Sequence, residues 1–183
     1  MGRPAAFLDR DGVLNAVTVV DGVPRPPRTA SELRILPGAA TACSRLRAAG
    51  LVIVVVTNQP EIARGTIAGR DVADINATLG ETLDIDVVCV CPHDDADGCS
   101  CRKPAPGLLF DAADRFGIDL RRSTMVGDRW RDVEAGIAAC VATVFVDCGY
   151  AERRPTGFDH RASSLLDAVP FVLERARQGA RVP

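Results

Sequence analysis

Continuous apolar runs alternate along the chain with segments whose apolar residues recur at helical spacing. The runs are rich in β-branched residues, which favour strands. Because strands that are apolar throughout are buried on both faces, the pattern predicts an α/β fold with a central parallel sheet of about five strands flanked by helices. The predicted strands cover 5–9, 51–57, 85–91, 123–128 and 141–147. The predicted helices cover 38–50, 70–83, 106–117, 130–140 and 163–178.

Polar residues follow the ends of these predicted strands. In open α/β sheets, ligands bind beyond the carboxyl ends of the strands, so these residues are the first candidates for a site. The sequence VPRPPRT at 23–29 predicts a loop. The strand-end candidates are Asp9, Asp11, Thr57, Asn58, Cys91 with the loop that follows it, Asp128 and Asp147.

Composition restricts the function classes. A chain of 183 residues with 47% hydrophobic content suits a single domain over 1–183 with one core. A net charge of −2, from 22 basic and 24 acidic residues, favours neither nucleic-acid nor membrane-surface binding. The longest apolar run, LVIVVV, is too short to span a bilayer, and the N-terminus lacks a signal-peptide layout. We therefore expect a cytoplasmic protein, without nucleic-acid or membrane partners, that is a monomer.

The sequence FLDRDGVLN places Asp9 and Asp11 two residues apart at the end of the first strand. In an extended chain, both carboxylates would point the same way and repel each other. A bound Mg²⁺ would relieve this repulsion, because hard cations take carboxylate oxygens. The alternative is an Asp-Gly turn with two solvated acids.

Three further motifs supply groups suited to a phosphate. Thr57 and Asn58 in VVTNQ can hydrogen-bond phosphate oxygens, although a Thr-Asn turn is also common. Arg102 and Lys103 in CRKP offer cations, although a solvated basic pair is the simpler interpretation of that motif alone. The sequence GDRWRD adds Asp128 as a third metal carboxylate and Asp132 as an auxiliary acid one turn into a helix.

Four of the seven cysteines lie within thirteen residues, which favours metal binding over disulfides. Three thiolates and one imidazole form a closed tetrahedral set for structural Zn²⁺. Cys89 competes with this set, although a core cysteine is its simpler interpretation, and Cys43, Cys140 and Cys148 are interpreted as core or incidental. The proposed zinc ligands are Cys91, His93, Cys99 and Cys101, in the loop 91–101.

Taken together and in this order, the motifs resemble the haloacid dehalogenase superfamily of phosphotransferases over residues 5–150. The resemblance implies a Rossmann-like fold of that type. It implies that Asp9 is the nucleophile and Asp11 the general acid and base, and that Thr57 and Lys103 bind phosphate. It also implies that Asp9, the backbone carbonyl of Asp11, and Asp128 bind Mg²⁺. The short intervals between motifs leave no room for a separate cap domain, so Asn15, Asn58 and Arg102 are candidate substrate-binding residues.

The zinc loop beside these motifs narrows the resemblance. It is similar to that of the heptose 1,7-bisphosphate phosphatases and of the related histidinol-phosphate phosphatases, and either substrate fits the motifs. Zinc would order the loop and so place Arg102 and Lys103. A second phosphate on the substrate would need its own site, for which Arg102 is the first choice. The alternative outside enzymology is a zinc-binding scaffold in which the acids do no chemistry.

Overall fold

The computed structural model describes residues 2–178, and its centre is a sheet of six parallel strands. The strand order is β5-β4-β1-β6-β7-β8. From β1 the chain goes first to β4 on one side and later to β6 on the other, so the strand order reverses at β1. Open sheets of this kind bind ligands at the carboxyl ends of the strands where the order reverses. The strands are β1 Ala5–Leu8, β4 Val52–Asn58, β5 Val87–Cys91, β6 Thr124–Gly127, β7 Ala142–Val146 and β8 His160–Ala162.

Five helices cover the two faces of this sheet, as the alternating pattern predicts. Helices α1, α2 and α5 contribute to one hydrophobic cluster, and α3 and α4 contribute to the other. Among these, α5 contains Pro170 within its length. The helices are α1 Ala39–Ala48, α2 Gly69–Leu83, α3 Gly107–Phe116, α4 Trp130–Ala138 and α5 Leu165–Gln178.

The sixth strand, β8, is absent from the sequence-based prediction. It contains three residues at the sheet edge, and only Ala162 among them is buried, so no apolar run marks it. Within this strand, His160 pairs with Val144, and its ring stacks on the Phe171 ring with the two ring centres 4.9 Å apart. A strand this short and polar is recognisable only from its neighbour in the sheet.

The predicted loop at 23–29 is partly wrong, because its first residues form a hairpin. Strand β2 (Thr18–Val20) pairs antiparallel with β3 (Val23–Arg25). The connecting Asp21 and Gly22 both have positive φ, as a two-residue turn of this hand requires. The Gly22 carbonyl accepts a hydrogen bond of 3.0 Å from the Ala151 amide. The hairpin is thereby held against the loop that follows β7.

Strand β1 explains how the sequence positions the site. Ala5 and Phe7 face one hydrophobic cluster, whereas Ala6 and Leu8 face the other, so both faces are buried. The next residue, Asp9, donates its backbone amide to the Val126 carbonyl at 2.9 Å. Pairing between β1 and β6 thus continues to the end of the strand, and it brings Asp9 beside the residues that follow β6.

Within residues 2–178, the structure has no helix that combines the length and apolar character needed to cross a bilayer.

Substitution of Ile53 in β4 tests how much the central core contributes to the free energy of unfolding. Its side chain is fully buried, so Ile53→Ala should lower the free energy of unfolding by about 2–5 kcal/mol. Ile137→Ala is the matched control, because Ile137 is 47% exposed on α4 and should cost less than about 1 kcal/mol. Denaturant unfolding of both variants measures the difference, and equal losses would contradict the assigned core.

Candidate active site

The Lys103 ammonium lies at the bottom of a cleft at the carboxyl edge of the sheet. Its side chain is only 2% exposed. The ammonium donates to Asp9 at 2.7 Å, to Asp132 at 2.5 Å and to the Val56 carbonyl at 2.7 Å. Burial alone would lower the pKa of Lys103, but the Asp132 and Asp9 carboxylates outweigh it and raise that pKa. Lys103 is therefore a permanent cation beside Asp9.

Asp9 lies in the same buried cluster. Burial raises the pKa of Asp9 to about 7, although Lys103 acts to lower it, and the Asp132 and Asp11 carboxylates add to the increase. A further cation against this carboxylate would lower its pKa and keep it ionised at neutral pH. Asp9 thus has the burial of a reactive group and needs more positive charge than Lys103 provides.

Asp128 identifies where that charge belongs. Both of its carboxylate oxygens are buried, and neither has a partner at good hydrogen-bond geometry among residues 2–178, although the nearby Tyr150 hydroxyl acts to lower the pKa of Asp128. Burial, with Asp9 and Asp132 nearby, raises its pKa well above the usual value. One carboxylate oxygen each from Asp9, Asp128 and Asp132 lies within 4.8 Å of the others. Three ionised acids and one ammonium leave two negative charges, which a divalent cation such as Mg²⁺ would balance.

Asp132 has a different environment from the other two acids. Its second oxygen accepts the Arg129 backbone amide at 3.0 Å, while the first is bound to Lys103. Both carboxylate oxygens therefore have protein partners. This supports the predicted auxiliary role, in which Asp132 holds Lys103 and the first turn of α4.

Asp11 is held from three sides. Its carboxylate accepts hydrogen bonds from Gln59 at 2.8 Å and from Asn15 at 2.9 Å, and it forms an ion pair with Arg10 at 2.9 Å. Arg10 is fully buried and also donates to Asn76 of α2 at 2.8 Å. The Asp11 side chain thus has a fixed orientation at the edge of the cleft.

Two predicted substrate-binding residues also bond to protein groups. Asn15 is fully buried, and its amide donates to Asp11 and to the Ala16 carbonyl, which places it behind the cleft. Asn58 accepts from the Lys103 amide at 3.1 Å and donates to the Lys103 carbonyl at 2.9 Å, and it also lines the cleft. Asn15 therefore orients Asp11 in this structure, whereas a contact between Asn58 and the substrate stays a prediction.

The cleft has a volume of about 210 Å³, and Asp9, Asp11, Thr57 and Lys103 line it. The Thr57 hydroxyl accepts from Gln59 at 2.8 Å and faces the same space. Arginine side chains predominate among the charged groups around the rest of the cleft. They are Arg25, Arg64, Arg102, Arg129 and Arg131. A cleft with these groups at its base and around its rim suits a phosphorylated, strongly anionic ligand.

The four predicted zinc ligands meet in one cluster. The Cys91, Cys99 and Cys101 sulfurs are 3.2–3.7 Å apart, and His93 Nδ1 lies 3.3 Å from Cys101 and 3.6 Å from Cys91. A tetrahedral zinc ion with Zn–S bonds of ~2.3 Å separates its sulfurs by about 3.8 Å, so the cluster fits the ion after a small expansion. Burial raises the pKa of Cys101 to about 12, and the hydrogen bonds that its thiol donates to Cys91 and Cys99 add to the increase.

The remaining cysteines lie outside this cluster. Cys89 packs against the core beside α3, and Cys43 is buried in the other cluster, as their apolar surroundings predict. Cys140 and Cys148 are exposed. The competing assignment of Cys89 as a ligand therefore has no support from the geometry.

Sequence reasoning missed four residues of the site. Gln59 lies within the quoted VVTNQ motif, but a single glutamine gives no signal of which acid it contacts. Arg10 lies between two acids in the sequence, and its burial becomes evident only from its contact with Asn76, far along the chain. Arg129 and Arg131 line the cleft from the start of α4, and the spacing of the motif alone did not distinguish them from solvated charges.

Comparison with known proteins agrees with this site. A family model for haloacid dehalogenase-like hydrolases matches residues 9–139. A D-glycero-β-D-manno-heptose-1,7-bisphosphate 7-phosphatase from Rhodopseudomonas palustris is 40% identical over 75% of this chain and 79% of its own length. The enzyme of the same name from Escherichia coli K12 is 35% identical over 97% of each chain.

A solved structure extends this similarity to the fold. The D,D-heptose 1,7-bisphosphate phosphatase of Bordetella bronchiseptica, in complex with magnesium and phosphate, has a TM-score of 0.80. It is 32% identical over 94% of this chain and 99% of its own. The family match covers most of the chain and includes Asp9, Thr57, Lys103 and Asp128. The chain therefore belongs to the haloacid dehalogenase-like hydrolase family.

Proposed function

We propose that this protein is a Mg²⁺-dependent phosphatase that converts D-glycero-D-manno-heptose 1,7-bisphosphate to heptose 1-phosphate. The observation that carries this proposal is the buried cluster of Asp9, Lys103 and Asp128 beneath a cleft lined with arginines. Relatives over nearly the whole chain bear the name of this activity, which supports the substrate. The predicted cytoplasmic location and monomeric state stay predictions.

In the first step, an Asp9 carboxylate oxygen attacks the phosphorus of the 7-phosphate. The bond from phosphorus to the sugar oxygen breaks, and Asp11 gives that oxygen a proton. In the second step, Asp11 takes a proton from a water molecule that attacks the aspartyl phosphate. Inorganic phosphate leaves, and both acids return to their starting states.

Several groups stabilise the negative charge of the transferring phosphoryl group. The Lys103 ammonium lies 2.7 Å from the attacking carboxylate, and the Thr57 hydroxyl lines the same space. Other residues fix the positions of these groups. Asp11 is held by Gln59, Asn15 and Arg10, and the backbone of Lys103 is held by Asn58. Mg²⁺, held by Asp9, Asp128 and the Asp11 carbonyl, would add electrostatic stabilisation of the phosphoryl oxygens. Because these groups are fixed before the substrate binds, little reorganisation is needed during reaction.

The rim favours a substrate with two phosphates over histidinol phosphate. Histidinol phosphate carries an amine, which rim arginines would repel, whereas a second phosphate would be attracted. Arg102 is our first choice for the second phosphate, because its guanidinium lines the cleft next to Lys103.

The test is phosphate release from heptose 1,7-bisphosphate and histidinol phosphate, measured side by side with Mg²⁺. We expect kcat/KM to favour the bisphosphate by at least about 100-fold, or about 2.7 kcal/mol. A preference for histidinol phosphate would overturn the substrate assignment but leave the reaction in place. A protein that hydrolyses neither compound nor a generic phosphate ester would support the scaffold alternative instead.

Asp9→Asn should abolish turnover, because an amide oxygen is a poor nucleophile toward phosphorus. We expect kcat to fall by at least about 10³-fold with the fold intact. Asp114→Asn is the control, since Asp114 is exposed on α3 and its change removes the same charge. A variant at Asp9 that retains wild-type kcat would show that another group attacks.

We propose that the cluster of Cys91, His93, Cys99 and Cys101 binds one structural Zn²⁺ per chain. Cys99→Ser should remove the metal, lower the melting temperature and reduce kcat/KM by about 10- to 100-fold, because Arg102 and Lys103 follow the loop directly. Cys140→Ser is the matched control at an exposed thiol outside the cluster. Elemental analysis measures the zinc, and wild-type protein purified without zinc but fully active and stable would contradict the proposal.

A further inference from the structure

One carboxylate on the rim of the cleft is shared by two arginines. Asp95 accepts from Arg102 Nε at 2.8 Å, and it pairs with Arg131 at 3.1 Å. All three residues line the cleft. The carboxylate belongs to a short 3-10 turn, Asp95–Asp97, inside the zinc loop. Two guanidiniums thus converge on one acid, where a second anion of the substrate would have to bind.

Each arginine is also held independently of Asp95. Arg102 donates to the His93 carbonyl at 3.2 Å. Arg131 donates to the Lys103 carbonyl at 3.5 Å, and its guanidinium lies 4.5 Å from the centre of the Trp130 ring. These contacts would keep both guanidiniums in place if the Asp95 carboxylate moved away.

The acid is much more exposed to solvent than the two arginines that contact it. The Asp95 side chain is 56% exposed, whereas those of Arg102 and Arg131 are 11% and 23% exposed. The acid can therefore rotate into water at small cost, while the arginines remain at the cleft wall. An exposed ion pair contributes little stability, so a phosphate that reaches both guanidiniums can displace it.

We propose that Asp95 is a specificity-determining residue, which competes with a second anionic group of the substrate for Arg102 and Arg131. Because Asp95 occupies Arg102 and Arg131, the substrate's second phosphate binds less tightly and the affinity for a bisphosphate is moderate. Binding of the phosphate that reacts at Asp9 is unaffected. Arg131 acts with Arg102 as the second half of this subsite. The inference rests on the proposed function, because it assigns the second phosphate of that substrate to this pair.

Asp95→Asn tests the competition. The variant should lower KM for heptose 1,7-bisphosphate by about two- to fivefold, the size of effect expected from removing a partly exposed ion pair. The KM for heptose 7-phosphate, which lacks the second phosphate, should not change, and kcat should stay the same for both. Asp114→Asn removes an equal charge elsewhere and should change neither KM. Zinc content and melting temperature establish that the loop is intact.

Arg131→Gln completes a double-mutant cycle. Arg131→Gln alone should raise KM for the bisphosphate. In the double variant, Asp95→Asn should lower that KM by a smaller factor than it does in the wild-type background. A purely structural role for Asp95 predicts the same change for both substrates, which would overturn the proposal. An unchanged or raised KM for the bisphosphate in Asp95→Asn would also overturn it.

Binding measurements separate this inference from the proposed reaction. Calorimetry on Asp9→Asn, with and without Asp95→Asn, compares affinity for the same two sugar phosphates without turnover. Tighter binding of the bisphosphate alone supports the inference even if wild-type protein releases no phosphate. Equal affinities in the two variants contradict it even if the phosphatase activity is found.

Discussion

The buried Lys103 ammonium is the interaction on which the site depends. An unpaired ammonium in this position would be strongly destabilising, so Asp9, Asp132 and the Val56 carbonyl must stay in place around it. These three groups come from the ends of β1 and β4 and from α4. The cation therefore links the elements that carry the reacting carboxylate, and it does so before any substrate arrives.

The position of Lys103 depends in turn on two supports outside the cluster. Asn58, at the end of β4, binds both the amide and the carbonyl of Lys103. The Cys and His cluster ends at Cys101, only two residues earlier, so a metal there would fix the backbone that leads to Lys103. A long side chain reaches a buried carboxylate reliably only when its backbone is fixed, so a zinc ion in this loop would contribute indirectly to the proposed phosphate chemistry.

The sequence predicts the chemistry of this protein more completely than it predicts which side chains contact one another. The long β-branched run of β4 and the motifs at strand ends are strong local signals, so five of the six strands of the central sheet, and the acids at their ends, were predicted. Strand β8 and the buried partners of Asp11 depend on residues far along the chain, such as Asn76 for Arg10. Asn15 shows the same limit, because a polar residue near a site carries no local sign of whether it contacts the substrate or other protein groups. The hairpin of β2 and β3 differs, since its Asp-Gly turn was legible in the sequence and was overlooked.

The short spacing inside the metal loop connects the floor of the cleft with its rim. Only five residues separate His93 from Cys99, so the loop cannot extend away, and its acids Asp94 and Asp95 lie among the rim arginines. Asp94 forms an ion pair with Arg64, and Asp95 does so with Arg102 and Arg131. A metal in this cluster, which would fix the backbone before Lys103, would therefore also fix the carboxylates of Asp94 and Asp95 at the rim. Because both effects depend on one anchor, a change in loop length would alter the affinity for a second anion as well as the placement of the catalytic cation.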